Sequence, residues 1–181
     1  MLKNIITCIV TCILTCTLAQ AATQQEYEQV FNEARAACKV YRTPCSITIV
    51  PHRGMFAQTK NDGQIEVSSG LLSYLTQAQV RGVIYHEVGH VVHRDVEKNA
   101  EYLYMTRLNN NFNKEFYFSM RRQAELQADR FAIYLGLFTF KDADLIGALI
   151  VITPPDEFYK THLSHPSTAD RIKAMERILG R

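Results

Sequence analysis

Residues His86-Glu87-Val88-Gly89-His90 place two imidazoles and a carboxylate within five positions. On an α-helix, positions i and i+4 lie on one face about a turn apart, so both imidazoles can reach one metal ion. The intervening glutamate points slightly aside, where it can take a proton from a water activated by that metal. Such chemistry suits zinc, one ion per chain, with His86 and His90 as ligands and Glu87 as base. A motif this short also arises by chance, so a third ligand and a suitable helix must be found in the rest of the chain.

A catalytic zinc usually has three protein ligands and one open position. His93 is the nearest candidate, but it lies on the same helix three residues past His90, which gives poor tetrahedral geometry. It reads instead as a surface or supporting residue. Glu125 is the better candidate. It stands in Arg121-Arg122-Gln123-Ala124-Glu125-Leu126-Gln127-Ala128-Asp129, a stretch that reads as a helix able to pack across the first. Asp129 lies one turn on, so both carboxylates share a face, and a carboxylate so placed can accept the outer N–H of a ligating imidazole. Alone, Glu125 would pass for a solvated residue on a charged helix face. The upstream motif and the apolar run Phe131, Ala132, Ile133 and Leu135 favour the ligand reading.

The elements that would hold these groups are legible in outline. Thr76-Gln77-Ala78-Gln79 is a capping box, with Thr at the N-cap and Gln at N3. It opens a helix running through Val80, Val83, Ile84, Val88, Val91 and Val92, so apolar that the helix must be buried. Upstream, Gln24 to Val40 has apolar residues at the helical period, and Pro44 ends it. Ser46 to Val50 is short and β-branched, a strand. Met55 to Thr59 and Gln64 to Ser68 flank Lys60-Asn61-Asp62-Gly63, whose Asp-Gly signals a hairpin. Gln64 to Ser68 is the expected edge on which an extended peptide could pair, a covered edge being the alternative. Downstream, Asn99 to Leu108, Lys114 to Leu137, Ala143 to Ile152 and Ser167 to Leu179 read as helices. Asn109-Asn110-Asn111 is a turn, and Pro154-Pro155 and His165-Pro166 are breaks. The aromatic-rich segment from Tyr102 to Phe118 reads as packing under the site, with a binding patch as the alternative.

Taken together these residues resemble the gluzincin metallopeptidases of the HtpX-like and CAAX prenyl protease type. Gly63 to Leu72 resembles that family's strand and turn before the active helix, and His86 to Val92 its zinc helix. Glu125 to Asp129 matches its E-x-x-A-D pattern, and Ser164-His165-Pro166 with Arg171 resembles its late S-H-P segment and following arginine. The likeness runs in order from about residue 45 to 180. It implies an α+β fold, a mainly helical zincin-like domain with a small three-stranded, mainly antiparallel sheet before the motif helix. It also implies that His86, His90 and Glu125 bind zinc, that Glu87 is the base, and that Asp129 supports a ligand from outside. His165 would sit near the open side of the metal and steady a developing oxyanion. Arg171 would pair with a site carboxylate or brace the helix, bracing being the preferred expectation. Many members of that family span membranes several times. This chain has no such segment after its first residues, so it resembles a compact, exported branch.

Length and composition fit that picture. The chain has 181 residues, 47% of them hydrophobic, and a net charge of +2. That is enough for one core, and the charge is too small and scattered for a nucleic-acid partner. Residues 1–21 read as a signal peptide: Lys3, the apolar stretch Ile5 to Leu18, then Ala19-Gln20-Ala21 as a cleavage site. The stretch falls short of the ~20 residues that a bilayer span needs, so a cleaved leader is preferred, with an uncleaved anchor as the alternative. Residues 22–181 would then be one metallopeptidase domain, periplasmic or secreted. Acylation of Cys16 as a lipoprotein fits less well, because Thr15 stands where a small residue is expected. Cys38 and Cys45 remain after the leader and read as a disulfide, with two unpaired thiols as the alternative. The expected partner is a peptide or unfolded protein, and any membrane contact would be peripheral. The expected activity is zinc-dependent endopeptidase chemistry in envelope quality control. A zinc-retaining chaperone or adaptor is the alternative, against which the intact Glu87 argues.

Overall fold

The computed structural model describes residues 27–139 and 142–181. The signal-peptide reading, with Cys8, Cys12 and Cys16, lies outside the described residues. Helix α1 occupies residues 27–40 and presents Val30, Phe31, Ala34 and Cys38 inward, the face that the sequence period marks out. Cys38 is bonded to Cys45 across a Cα separation of 6.1 Å, tying the end of α1 to the start of the sheet.

Three strands follow: β1 (Ser46–Val50), β2 (Ala57–Thr59) and β3 (Gln64–Ser68). The hairpin of β2 and β3 is antiparallel, Ala57 opposite Val67 and Thr59 opposite Ile65. Its turn closes with Lys60 N donating to Gln64 O at 2.7 Å, and Gly63 takes φ 76°, a left-handed conformation that glycine adopts without steric cost. The sheet as a whole departs from the mainly antiparallel expectation. β1 pairs parallel to β3 over five residues, Ser46 opposite Gln64 through Val50 opposite Ser68, so the sheet is mixed with order β1-β3-β2. Gln64–Ser68 is therefore the central strand, paired on both sides, and not the edge expected to receive a peptide; β2 is the edge on the hairpin side. The cause is the segment from Pro51 to Phe56, which carries the chain past the middle position. β3 then fills the gap in the same direction as β1. Gly70 N donates to His52 O at 2.8 Å and fastens that segment to the next helix. Only β3 is buried, through Ile65, Val67 and Ser68.

The remainder is helical: α2 (Ser69–Tyr74), α3 (Gln77–His93), α4 (Asp95–Leu108), α5 (Lys114–Thr139), α6 (Leu145–Ile152) and α7 (Thr168–Leu179). α3 starts at the expected capping box, both reciprocal hydrogen bonds being present. It is buried on nearly every side and packs against β2, α4, α5 and α6, so it is the axis of the fold. Asp144 caps α6 and Ser167 caps α7, each accepting a backbone N–H from the first turn.

α4 and α5 form a hairpin whose tip differs from the expectation of packed aromatics. Tyr102, Phe112, Phe116 and Tyr117 contact one another there, yet Tyr104 (63%), Phe112 (51%) and Phe116 (55%) stay exposed. The hairpin extends beyond the core. No helix among the described residues is long and apolar enough to cross a membrane.

Candidate active site

The second half of α3 carries His86, Glu87 and His90, facing a cleft of about 480 Å³. One wall of the cleft is β2; the other comes from the adjoining parts of α4 and α5, with His165 and Arg171 closing it from the C-terminal segment. α5 must approach α3 closely to bring Glu125 to the imidazoles. Gly89 permits it: a Cβ there would lie 2.9 Å from Ala128 Cα, inside van der Waals contact. The glycine inside the motif therefore sets the distance between the two helices that bear the site.

His86 Nε2 and His90 Nε2 lie 3.1 Å apart. Glu125 places Oε2 3.5 Å from His86 Nε2 and Oε1 3.6 Å from His90 Nε2. Ligand atoms of the three residues all fall within 4.8 Å of one another, a set that could hold a metal ion. Two nitrogens bound at ~2.0–2.1 Å to a tetrahedral zinc would stand about 3.3 Å apart, close to the spacing found here. The outer nitrogens complete the fit. His86 Nδ1 donates to Asp129 Oδ1 at 2.8 Å, and His90 Nδ1 donates to Asp95 Oδ2 at 2.8 Å. With both Nδ1 atoms engaged by carboxylates, both Nε2 atoms face one point.

Asp95 was not legible as a site residue. Its placement depends on Arg94, which takes φ 55° and ψ 43°, ends α3 and begins α4. That single left-handed residue turns the chain back so that Asp95, in the first turn of α4, reaches His90. Positive φ at an arginine leaves no mark in sequence. Thr59 was missed too: from β2 its Oγ1 donates to Glu87 Oε2 at 2.8 Å.

Arg171 pairs with the site carboxylates, which corrects the expectation that it only braces its helix. Its Nε donates to Asp129 Oδ2 at 2.8 Å and its Nη2 to Asp129 Oδ1 at 2.6 Å, while Nη1 lies 3.6 Å from Glu125 Oε2. Asp129 is 1% exposed. A carboxylate that buried requires a partner, and a guanidinium fork provides two parallel bonds. His165 is half-exposed at the cleft mouth, its Nε2 3.4 Å from Glu125 Oε1 and its Nδ1 2.8 Å from Ser164 Oγ. His93 stands apart from the cluster with its ring edge-on to Phe131.

Charge and burial set the protonation of the cluster. Burial opposes the charged form of His86, but hydrogen bonds to Asp129 and Glu125 outweigh it and push the imidazole up to about 10. Burial likewise works against the charged form of Glu125, and His86, Arg171 and His90 overcome it, holding the carboxyl well below its usual range. The same balance, with Arg171 and His86 as partners, lowers Asp129. Burial depresses His165, as do Arg121 and Arg171, against the opposing pull of Glu125.

Comparison with known proteins agrees with this geometry. The sequence profile of peptidase family M48 matches residues 21–179, nearly the whole chain. The chain belongs to peptidase family M48. Family M48 peptidases are zinc-dependent in general, and a His-His-Glu donor set suits that metal. Among curated proteins the chain is similar to a protease HtpX of Legionella pneumophila (strain Corby), 48% identical over 47 residues, 25% of this chain and 17% of that protein. A protease HtpX homolog of Methanothermobacter thermautotrophicus is 36% identical over 47 residues, 26% of this chain and 18% of the relative. One from Sulfurihydrogenibium sp. is 36% identical over 58 residues, 32% of this chain and 19% of the relative. The matches therefore span less than a fifth of each relative's length.

Proposed function

We propose that this M48 chain is an exported zinc endopeptidase acting on unfolded protein, possessing one zinc site made by His86, His90 and Glu125. The observation that carries the reading is the convergence of the two Nε2 atoms, 3.1 Å apart, beside the Glu125 carboxylate in a cleft that Glu87 also lines. Zinc held there would acidify a water and polarise the carbonyl of a scissile peptide. Glu87 accepts the proton of the attacking water and returns it to the leaving amine. Burial lowers the pKa of His165 and favours its neutral form, and in the tautomer that accepts the Ser164 hydroxyl at Nδ1 its Nε2–H would donate to the developing oxyanion. Asp129 and Asp95 fix the tautomers of the two imidazoles, and Arg171 keeps Asp129 ionised.

β2 forms the edge of the sheet beside the cleft, where an extended chain could add as a fourth strand. Strand pairing reads backbone rather than side chain, which suits substrates that have lost their fold. Export is supported by the leader-like residues 1–21 and by the Cys38–Cys45 bond, since disulfides persist in oxidising compartments. Envelope quality control is the role these features suit.

The test is degradation of casein by the purified protein, with and without a zinc chelator. Cleavage that stops on chelation and returns with zinc supports the reading. Cleavage indifferent to chelation contradicts it, and zinc binding with no cleavage of casein or of denatured envelope proteins favours a binding module.

A further inference from the structure

We infer that Thr59 is a positioning residue that couples peptide docking on β2 to the orientation of Glu87, an inference that rests on the peptidase reading above. The Thr59 hydroxyl lies 2.8 Å from Glu87 Oε2 and 3.1 Å from Glu87 O, and its single proton goes to the charged acceptor. One oxygen of the base is thereby fixed on the strand side, and the other is left for the attacking water. Glu87 itself is 7% exposed, so the bond is sheltered from solvent.

The backbone of the same residue faces the substrate. In an antiparallel pair, residues alternate between exchanging hydrogen bonds with the partner strand and directing their N–H and C=O groups away from it. Lys60 N donates to Gln64 O at 2.7 Å and Ser68 N to Phe56 O at 3.0 Å, so in the β2–β3 register the bonded positions are 56, 58 and 60. Ala57 and Thr59 therefore turn their backbone N–H and C=O groups toward the open edge. A peptide adding to that edge would bond to Thr59 through its main chain while the Thr59 side chain holds the base. Docking a substrate strand would fix Thr59, and through it the direction of the Glu87 carboxylate. Unpaired ends or folded surfaces would not engage this link.

Thr59→Val keeps the β-branched shape and removes the hydroxyl, whereas Thr59→Ser keeps the hydroxyl. With a fluorogenic peptide, Thr59→Val should lower kcat at least about tenfold, the value of a lost hydrogen bond to a charged group, with KM within about twofold. Thr59→Ser should recover kcat to within about threefold of wild type, and zinc content should be equal in all three. An unchanged kcat in Thr59→Val, or a Thr59→Ser enzyme as slow as Thr59→Val, would overturn the inference. A second readout needs no turnover: the carboxyl carbon resonance of Glu87, assigned by its loss in Glu87→Gln. It should move in Thr59→Val and return in Thr59→Ser; one position in all three proteins would refute the bond. Should the wild type prove inactive on every peptide, the peptidase reading fails, and the resonance still decides whether Thr59 holds Glu87.

Discussion

If His86 is a zinc ligand, its protonated form competes with the metal. Burial opposes that form, but Asp129 and Glu125 push the His86 imidazole up to about 10, which favours a proton on Nε2 in the metal-free protein at neutral pH. Zinc must displace that proton, so affinity should rise with pH until His86 is deprotonated near that value and fall as the solution is acidified. Titration calorimetry at pH 7.5 in buffers of different ionisation enthalpy should show at least one proton released per zinc. A heat independent of the buffer would contradict this assignment. Asp129 and Asp95 make a second pair of expectations. Asp95→Asn should weaken zinc affinity by roughly 10–100-fold with a small effect on stability. Asp129→Asn should do that and also cost about 3–5 kcal/mol in chemical denaturation, because it strands the buried Arg171 guanidinium. Equal stability of the two variants would argue against the bidentate pair. At this scale the sequence indicated which residues would lie together where spacing decides it, as for His86, His90, Glu125 and Asp129. It was silent on Asp95 and Thr59, whose roles depend on a left-handed arginine and on tertiary proximity across 28 residues.

Among elements, the α3–α5 contact decides whether the site assembles. Gly89→Ala would place a methyl against Ala128 backbone, where no flexible side chain can yield, so the helices must separate. Overpacking of this kind costs about 1–3 kcal/mol. Because Glu125 lies one turn from Ala128, zinc affinity should fall together with the melting temperature. A variant of normal stability and normal zinc affinity would show that the contact is looser than described. The helices were readable from caps and periodicity: the Thr76 capping box sits where the residues imply, and α7 begins one residue after the expected start at Ser167. Strand direction was not. Three short strands in succession suggest a meander, and nothing in Pro51 to Phe56 announces that the chain passes over the central position to leave β1 parallel to β3. The alternation of burial within a strand is the same in either direction, so pattern alone cannot separate the two arrangements.

For the whole molecule, the Cys38–Cys45 bond is one of the two supports for the proposed export. Protein recovered from an oxidising compartment should have Cys38 and Cys45 linked, shown by a disulfide-bridged peptide in a non-reducing digest. Free thiols at both positions would remove one of the two supports for export. The direct test of the central claim is zinc content, by native mass spectrometry, set beside casein turnover for wild type, Glu87→Gln and Glu125→Ala. We expect one zinc and cleavage in the wild type, and one zinc with turnover reduced at least about 100-fold in Glu87→Gln. Glu125→Ala should lose zinc and activity together. Full zinc retention without Glu125, or turnover that survives without the Glu87 carboxylate, would contradict the assignment of ligand and base.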